Sequence, residues 1–301
     1  MKPERPSWVN KKINLKDCAN LRQALKGLDL GTVCEEALCP NIGECFKKSQ
    51  ATFLILGKNC TRLCKFCAVK RGAPVPVDPD EPRRVAEGAR RIRLAHAVIT
   101  SVTRDDLPDG GAQAFADTVK ALRSLELPPV VELLIPDFRL NKSAIRKVID
   151  AKPDMLAHNI ETVPRLYREA REGADYARSL GVLRFIRECD PGMPLKSGIM
   201  LGMGETESEV LETFSDIAAT GCSLLSIGQY LAPSRSHFPV KEYIVPDKFE
   251  YYREKAVEAG FRIVLSGTYV RSSYMAGEYS KTDIKTRVIA REKSQTTTRV
   301  L

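Results

Sequence analysis

CEEALCPNIGEC at residues 34–45 and ATFLILGKNCTRLCKFC at residues 51–67 hold six of the chain's nine cysteines. The first stretch spaces Cys34, Cys39 and Cys45 as C-x4-C-x5-C, and the second spaces Cys60, Cys64 and Cys67 as C-x3-C-x2-C. Gaps this short keep each triplet within reach of one metal centre, and three ligands leave one coordination position open. Structural zinc normally closes with four ligands, and the chain's three histidines, His96, His158 and His237, are all distant in sequence. Disulfides need an oxidising compartment, and the opening MKPERPSWVNKK lacks the apolar region of a secretory signal. Iron–sulfur clusters use Cys thiolates at such spacings, normally four per cubane. A cubane held by three cysteines keeps one iron free for a substrate or cofactor.

Outward from the second triplet, the chain alternates between short apolar runs and helical patterns. ATFLILG (51–57), AHAVITS (95–101), VVELLIP (130–136), DMLAHNI (154–160), SGIMLG (197–202) and SLLSIGQY (223–230) predict strands, with RIVLS (262–266) as a last one. Between them, Phe115, Val119 and Leu122 stand at i, i+4, i+7, and Leu211, Phe214 and Ala218 at similar spacing. Thr206 followed by Glu209 signals a capping box. Leu21, Leu25 and Leu28 predict a helix within Asn14–Leu30. Strands this apolar, separated by helices, read as parallel and helix-covered. Periodicity allows a partial barrel or a doubly wound open sheet. In a parallel barrel, chemistry gathers at the C-terminal strand ends. Cys60, Asp105, Asp109, Gly110, Gly111, Asn159, Glu161, Glu205, Gln229 and Tyr230 all follow or end predicted strands.

C-x3-C-x2-C with Phe66 before its last Cys resembles the signature of radical S-adenosylmethionine (SAM) enzymes. C-x4-C-x5-C together with RSSY (271–274) is similar to the lipoyl synthase family within them. The resemblance runs from about Trp8 to Tyr274 and includes TSVTRDDLPDGGA (100–112), HNIETVPRLY (158–167), KSGIMLGMGET (196–206) and GQYLAPSRSHFPV (228–240). Met275, where the family pattern expects His, and the basic tail after Tyr274 depart from it.

The resemblance implies an α/β fold: a partial (β/α)6 TIM-like barrel over 51–260, preceded by an auxiliary-cluster extension over 1–50. A C-terminal segment over 261–301 would bring RSSY across the barrel rim. It implies two 4Fe–4S clusters and SAM as cofactors. Cys60, Cys64 and Cys67 would hold the cluster that cleaves SAM to methionine and a 5′-deoxyadenosyl radical. Cys34, Cys39 and Cys45 would hold the auxiliary cluster, with Ser273 rather than Ser272 on its fourth iron. Serine oxygen matches soft iron–sulfur chemistry less well than thiolate, which suits a cluster dismantled as the sulfur source. Gly110, Gly111, Asn159 and Glu161 would contact SAM. The implied reaction inserts sulfur at C6 and C8 of an octanoyl group on a carrier-protein lysine. Octanoylated lipoyl domains of 2-oxoacid dehydrogenase E2 subunits and the glycine cleavage H protein would be partners. Ferredoxin or flavodoxin would supply electrons.

The remaining signals set limits. There is no run of 18 apolar residues to span a membrane, and the expected compartment is the reducing cytosol. Net charge is +9, and the residues from Lys281 onward contribute six Lys/Arg against two Asp/Glu. A basic surface attracts nucleic acid, membrane or acidic protein. The chain lacks an aromatic-interleaved basic motif for single strands, so no nucleic acid and no membrane is expected, and an acidic carrier would dock faster. The rival readings are a methylthiotransferase, a biotin-synthase-like sulfur inserter, and a zinc-ribbon nucleic-acid binder.

Overall fold

The computed structural model describes residues 3–10, 19–36, 39, 41–47, 51–274 and 276–279. Cys18, Met275 and the basic tail lie outside them. One sheet of eight strands organises the chain, in the order β1 to β8. The strands are β1 (Gly31–Thr32), β2 (Thr52–Ile55), β3 (His96–Ser101), β4 (Val130–Leu134), β5 (Met155–Ala157), β6 (Leu195–Leu201), β7 (Leu224–Gln229) and β8 (Ile263–Gly267). From β2 to β8 every neighbouring pair is parallel. Only β1 runs antiparallel, with Gly31 opposite Leu54. Among the described residues β8 does not pair back to β1, so the barrel is partial.

Helices cross between strands: α1 (Ala19–Leu25), α2 (Val33–Glu36), α3 (Ile42–Lys47), α4 (Glu81–Arg91), α5 (Ala112–Arg123) and α6 (Lys142–Asp150). They continue with α7 (Tyr167–Ala170), α8 (Tyr176–Cys189), α9 (Glu207–Ala218), α10 (Pro246–Glu258) and α11 (Ala276–Tyr279). The expected faces pack inward. Phe115, Val119 and Leu122 of α5 are buried. In α9 the buried stripe is Val210, Phe214 and Ile217, one position off the Leu211 spacing. The capping box forms: Glu209 N donates to Thr206 Oγ1 and Thr206 N to Glu209 Oε2 at 2.8 Å. This fixes where α9 starts after the β6 turn.

The strand interiors are largely apolar, but the lumen carries charge. Glu132 of β4 and Lys196 of β6 are completely buried, with His96 at the start of β3 nearly so. Lys196 pairs with Glu132 Oε1, and His96 Nε2 lies 3.1 Å from Glu132 Oε2. Burial alone would raise the Glu132 carboxyl; Lys196 and His96 outweigh it and hold Glu132 below the usual carboxylate range. Beyond β8 the chain turns back against this lumen. A Cβ on Gly228 would come within 2.1 Å of the Val270 carbonyl oxygen, so β7 needs glycine where the returning chain passes.

Candidate active site between two cysteine triplets

The loop carrying Cys60, Cys64 and Cys67 leaves the C-terminal end of β2 and is pinned on three sides. Cys60 N donates to Lys70 O at 2.8 Å, Thr61 N to Thr103 O at 3.1 Å, and Lys65 N to Ala170 O at 2.8 Å. Thr103 N points at Cys60 Sγ from 3.4 Å. Between the first two cysteines, Arg62 turns inward. Its guanidinium binds both oxygens of Asp105 (2.8 and 3.0 Å) and both of Asp137 (2.9 and 2.6 Å). Two-point binding of this kind fixes a guanidinium in orientation as well as position. Burial pushes the Cys67 thiol up to about 12, and Cys64 and Cys60 add to the rise. Burial also raises Cys64, although Arg171 opposes it. Cys64 and Cys67 therefore share one dry neighbourhood, with the Arg171 guanidinium beside it.

The other triplet lies at the opposite ends of the same strands. Cys34 sits on α2, Cys45 on α3, and Cys39 in the turn between them, where its N donates to Cys34 O at 3.1 Å. One cavity is lined by Cys34, Cys39, Cys45, His96, Arg271 and Ser273, with Thr52 and Val98 from the starts of β2 and β3 behind them. Burial pushes the Cys34 thiol up to about 12, with Cys39 and Cys45 contributing. The chain's two ends are tied together here. Asn41 Nδ2 donates to Tyr269 O at 2.7 Å, and Tyr274 Oη donates to Glu44 Oε1 at 3.0 Å.

These donor sets suit iron–sulfur clusters. Each offers three free thiols, and the auxiliary cavity adds a hydroxyl. Among the described residues no three His, Cys, Asp or Glu are placed to hold a single metal ion. Raised thiols also mean that metal must displace protons on binding.

Ser272 and Ser273 face different ways. Ser273 lines the cysteine cavity. Ser272 Oγ donates to Asn159 Oδ1 at 2.9 Å, and its carbonyl accepts from Lys196 Nζ at 2.7 Å. Asn159 Nδ2 in turn donates to Glu161 Oε1 at 3.0 Å. Glu161 holds a left-handed backbone, φ 70°, a conformation that a non-glycine residue keeps only where its surroundings impose it. Burial raises its carboxyl, opposed by Arg171. Gly110 and Gly111 have φ of 61° and 91°. Side chains of this chain fill the space before them: a Cβ would lie 2.8 Å from Phe138 and 2.2 Å from Leu56.

Other residues at the strand ends hold loops. Asp105 takes Arg62, and Asp109 accepts from the Gly111 and Gln113 amides at 2.9 Å each. Gln229 binds the backbone of Leu201, Tyr230, Glu242 and Ile244. Sequence reading missed Arg62, Arg171, Arg271, Glu132 and Lys196. One signal was available, a glutamate inside the apolar run VVELLIP. A carboxylate there demands a cation from another strand.

The Radical SAM superfamily model matches residues 54–217. The chain is 58% identical over 275 residues to a lipoyl synthase of Geobacter metallireducens, covering 91% of this chain and 97% of that one. It is 52% identical over 277 residues to a lipoyl synthase of Caldanaerobacter subterraneus, covering 92% and 97%. Among solved structures, Streptococcus suis SuiB bound to S-adenosylmethionine aligns with a TM-score of 0.56 at 13% identity, over 75% of this chain and 53% of that one. Methylornithine synthase aligns with a TM-score of 0.52 at 15% identity, over 71% and 70%. At this identity the two bear on the fold alone. With both cysteine triplets in place and identity above half along most of its length, the chain belongs to the lipoyl synthase family of radical SAM enzymes.

Proposed function

We propose that this chain inserts two sulfur atoms at C6 and C8 of an octanoyl group amide-linked to a carrier-protein lysine. The observation that carries the reading is the course of residues 271–274. This one stretch touches Asn159 on the SAM side through Ser272 and lines the auxiliary cysteine cavity through Ser273. An octanoyl chain lying beside it would have a hydrogen-abstracting centre at one end and a sulfur source at the other. The target carbons are unactivated, and no protein base deprotonates an alkyl chain, so a radical cofactor is needed. Bound at Cys60, Cys64 and Cys67, a 4Fe–4S cluster with SAM supplies one-electron cleavage and a radical that can take hydrogen from such carbons.

The chain's own residues bind and orient. Arg62 holds the loop of Cys60, Cys64 and Cys67 to the barrel. Asn159 and Glu161 would contact SAM, Glu161 through the ribose hydroxyls, and the Gly110–Gly111 segment would lie beside its amine. Cys34, Cys39 and Cys45 would hold the auxiliary cluster, and Ser273 would take its fourth iron. Residues 1–50 and 261–301 serve that second centre, and 51–260 serves the first. Lipoyl domains of E2 subunits and the H protein are the carriers, and ferredoxin or flavodoxin is the electron donor. No helix among the described residues is long and apolar enough to cross a membrane. The test is anaerobic reconstitution with an octanoylated lipoyl-domain peptide, SAM and reductant, read by peptide mass. A peptide left without sulfur while SAM is cleaved would overturn the reading.

A further inference from the structure

The lumen of the barrel holds a charged network that the reaction as described does not use. Its members are His96, Glu132 and Lys196, from β3, β4 and β6. The side chains of Glu132 and Lys196 are wholly buried, and that of His96 is 6% exposed. Placing a carboxylate and an ammonium in a protein core costs several kcal/mol per ion before their attraction is counted. Apolar residues of like volume would usually serve stability as well or better. The network therefore calls for a reason other than stability, and its two ends supply one. At one end, Lys196 Nζ donates to the Ser272 carbonyl at 2.7 Å. That carbonyl belongs to the peptide joining Ser272 to Ser273. At the other end, His96 lines the cavity with Cys34, Cys39, Cys45 and Ser273. Its Nδ1 is buried without a partner among the described residues.

We propose that Lys196, held in place by Glu132, is a positioning residue that sets Ser273 as the fourth ligand of the auxiliary centre. The inference rests on the assignment of Ser273 made above. RSSY follows β8 on a turn, where a serine oxygen is a weak, mobile donor. A charge-assisted hydrogen bond to the preceding carbonyl fixes the peptide plane and with it the direction of the Ser273 Cα–Cβ bond. Glu132 keeps the ammonium aimed, and its second oxygen orients His96 toward the same cavity. One carboxylate thus couples the serine side and the histidine side of the centre. The loop carrying Cys60, Cys64 and Cys67 makes no hydrogen bond to this network among the described residues. The link toward the SAM side is the Ser272 Oγ bond to Asn159 Oδ1 at 2.9 Å, made by the side chain and not by the carbonyl that Lys196 holds, so the two centres should respond differently.

The test compares full-length wild type, Ser273→Ala, Lys196→Met, and the double variant Glu132→Gln/Lys196→Met, each reconstituted anaerobically. Lys196→Met alone strands a buried carboxylate and can fail to fold. The double variant removes both charges while keeping volume, and still lacks the bond to Ser272. Three readouts are taken: the Mössbauer signature of the auxiliary cluster's distinct iron, the rate at which a chelator removes it, and reductive SAM cleavage without peptide. Both Lys196 variants should lose the oxygen-bound signature, as Ser273→Ala does. They should release that iron roughly tenfold faster or more, the size expected for one charge-assisted hydrogen bond. SAM cleavage should stay at the wild-type rate. A folded double variant with wild-type signature and release rate would overturn the role of Lys196 while leaving Ser273 a ligand. An unchanged signature in Ser273→Ala would overturn the ligand assignment, and this inference with it.

Discussion

Arg62→Met should detach the loop of Cys60, Cys64 and Cys67 from the barrel, and its cost can be worked from the geometry. The Arg62 side chain is 5% exposed and Asp137 wholly buried, 2.6 Å apart. Breaking a buried pair by removing one partner costs about 3–5 kcal/mol. Asp137 keeps Arg178 at 3.0 Å, and Asp105 is partly solvated, so the lower figure of about 3 kcal/mol applies. With urea slopes of about 1–3 kcal/mol per molar, the unfolding midpoint of the apo-protein should fall by roughly 1 M or more. The pH dependence carries a sign. Burial would raise Asp137, but Arg62 brings it well below the usual carboxylate range. A depressed carboxyl contributes stability above its unfolded value, near 3.9, and loses it as pH falls through the lower folded value. In the variant that contribution shrinks. The gap between wild type and variant should be widest near neutrality and narrow as pH drops below about 4. Urea titrations at a series of pH values would measure it. An unchanged midpoint at neutral pH, or a gap that widens in acid, would refute the clamp.

Replacing Cys60, Cys64 and Cys67 with Ala should abolish SAM cleavage, whereas replacing Cys34, Cys39 and Cys45 should spare it and stop sulfur transfer. Each triple variant should retain about four of the roughly eight irons of a two-cubane protein, measured by iron and sulfide analysis. Ser273→Ala should leave a loose auxiliary cluster, and Ser273→Cys one that assembles but turns over slowly in single-turnover assays. If the positive charge guides carrier docking, affinity for an octanoylated domain should fall as salt shortens the Debye length. Truncation after Ser280 should reproduce part of that loss.

What the sequence made legible was local. Cysteine spacing is a statement about a few consecutive residues, and so are the apolar runs that became β2 to β8 and the Thr206–Glu209 cap. β5 came out shorter than expected, at Met155–Ala157, because His158 to Ile160 leave the strand on the way to the strained Glu161. The two-residue β1 was not foreseen; a pair this short has no period to detect. The helix expected within Asn14–Leu30 is described as Ala19–Leu25, its earlier part lying outside the described residues. Pairings across the lumen were illegible for a different reason. Lys196 and Glu132 lie on strands two apart in the sheet, and nothing near either residue names the other. Arg62 reads as an ordinary basic residue between two cysteines until Asp137 arrives from the loop after β4.

The ties between the two ends of the chain bear on synthesis. Asn41 must find Tyr269, and Glu44 must find Tyr274, each pair separated by about 230 residues. At roughly 5–20 residues per second, translation of that interval takes about 10–50 s. For most of that time Cys34, Cys39 and Cys45 have left the ribosome while the segment that roofs their cavity does not yet exist. The second triplet is different, since Arg62 meets Asp137 after only 75 residues. A nascent chain can therefore close its SAM-side loop early and must keep three auxiliary thiols unroofed until residues 269–274 emerge. On the proposed ligand set, an auxiliary centre with all four ligands cannot form before residues 271–274 are made, and oxidative damage during translation should fall first on those three thiols.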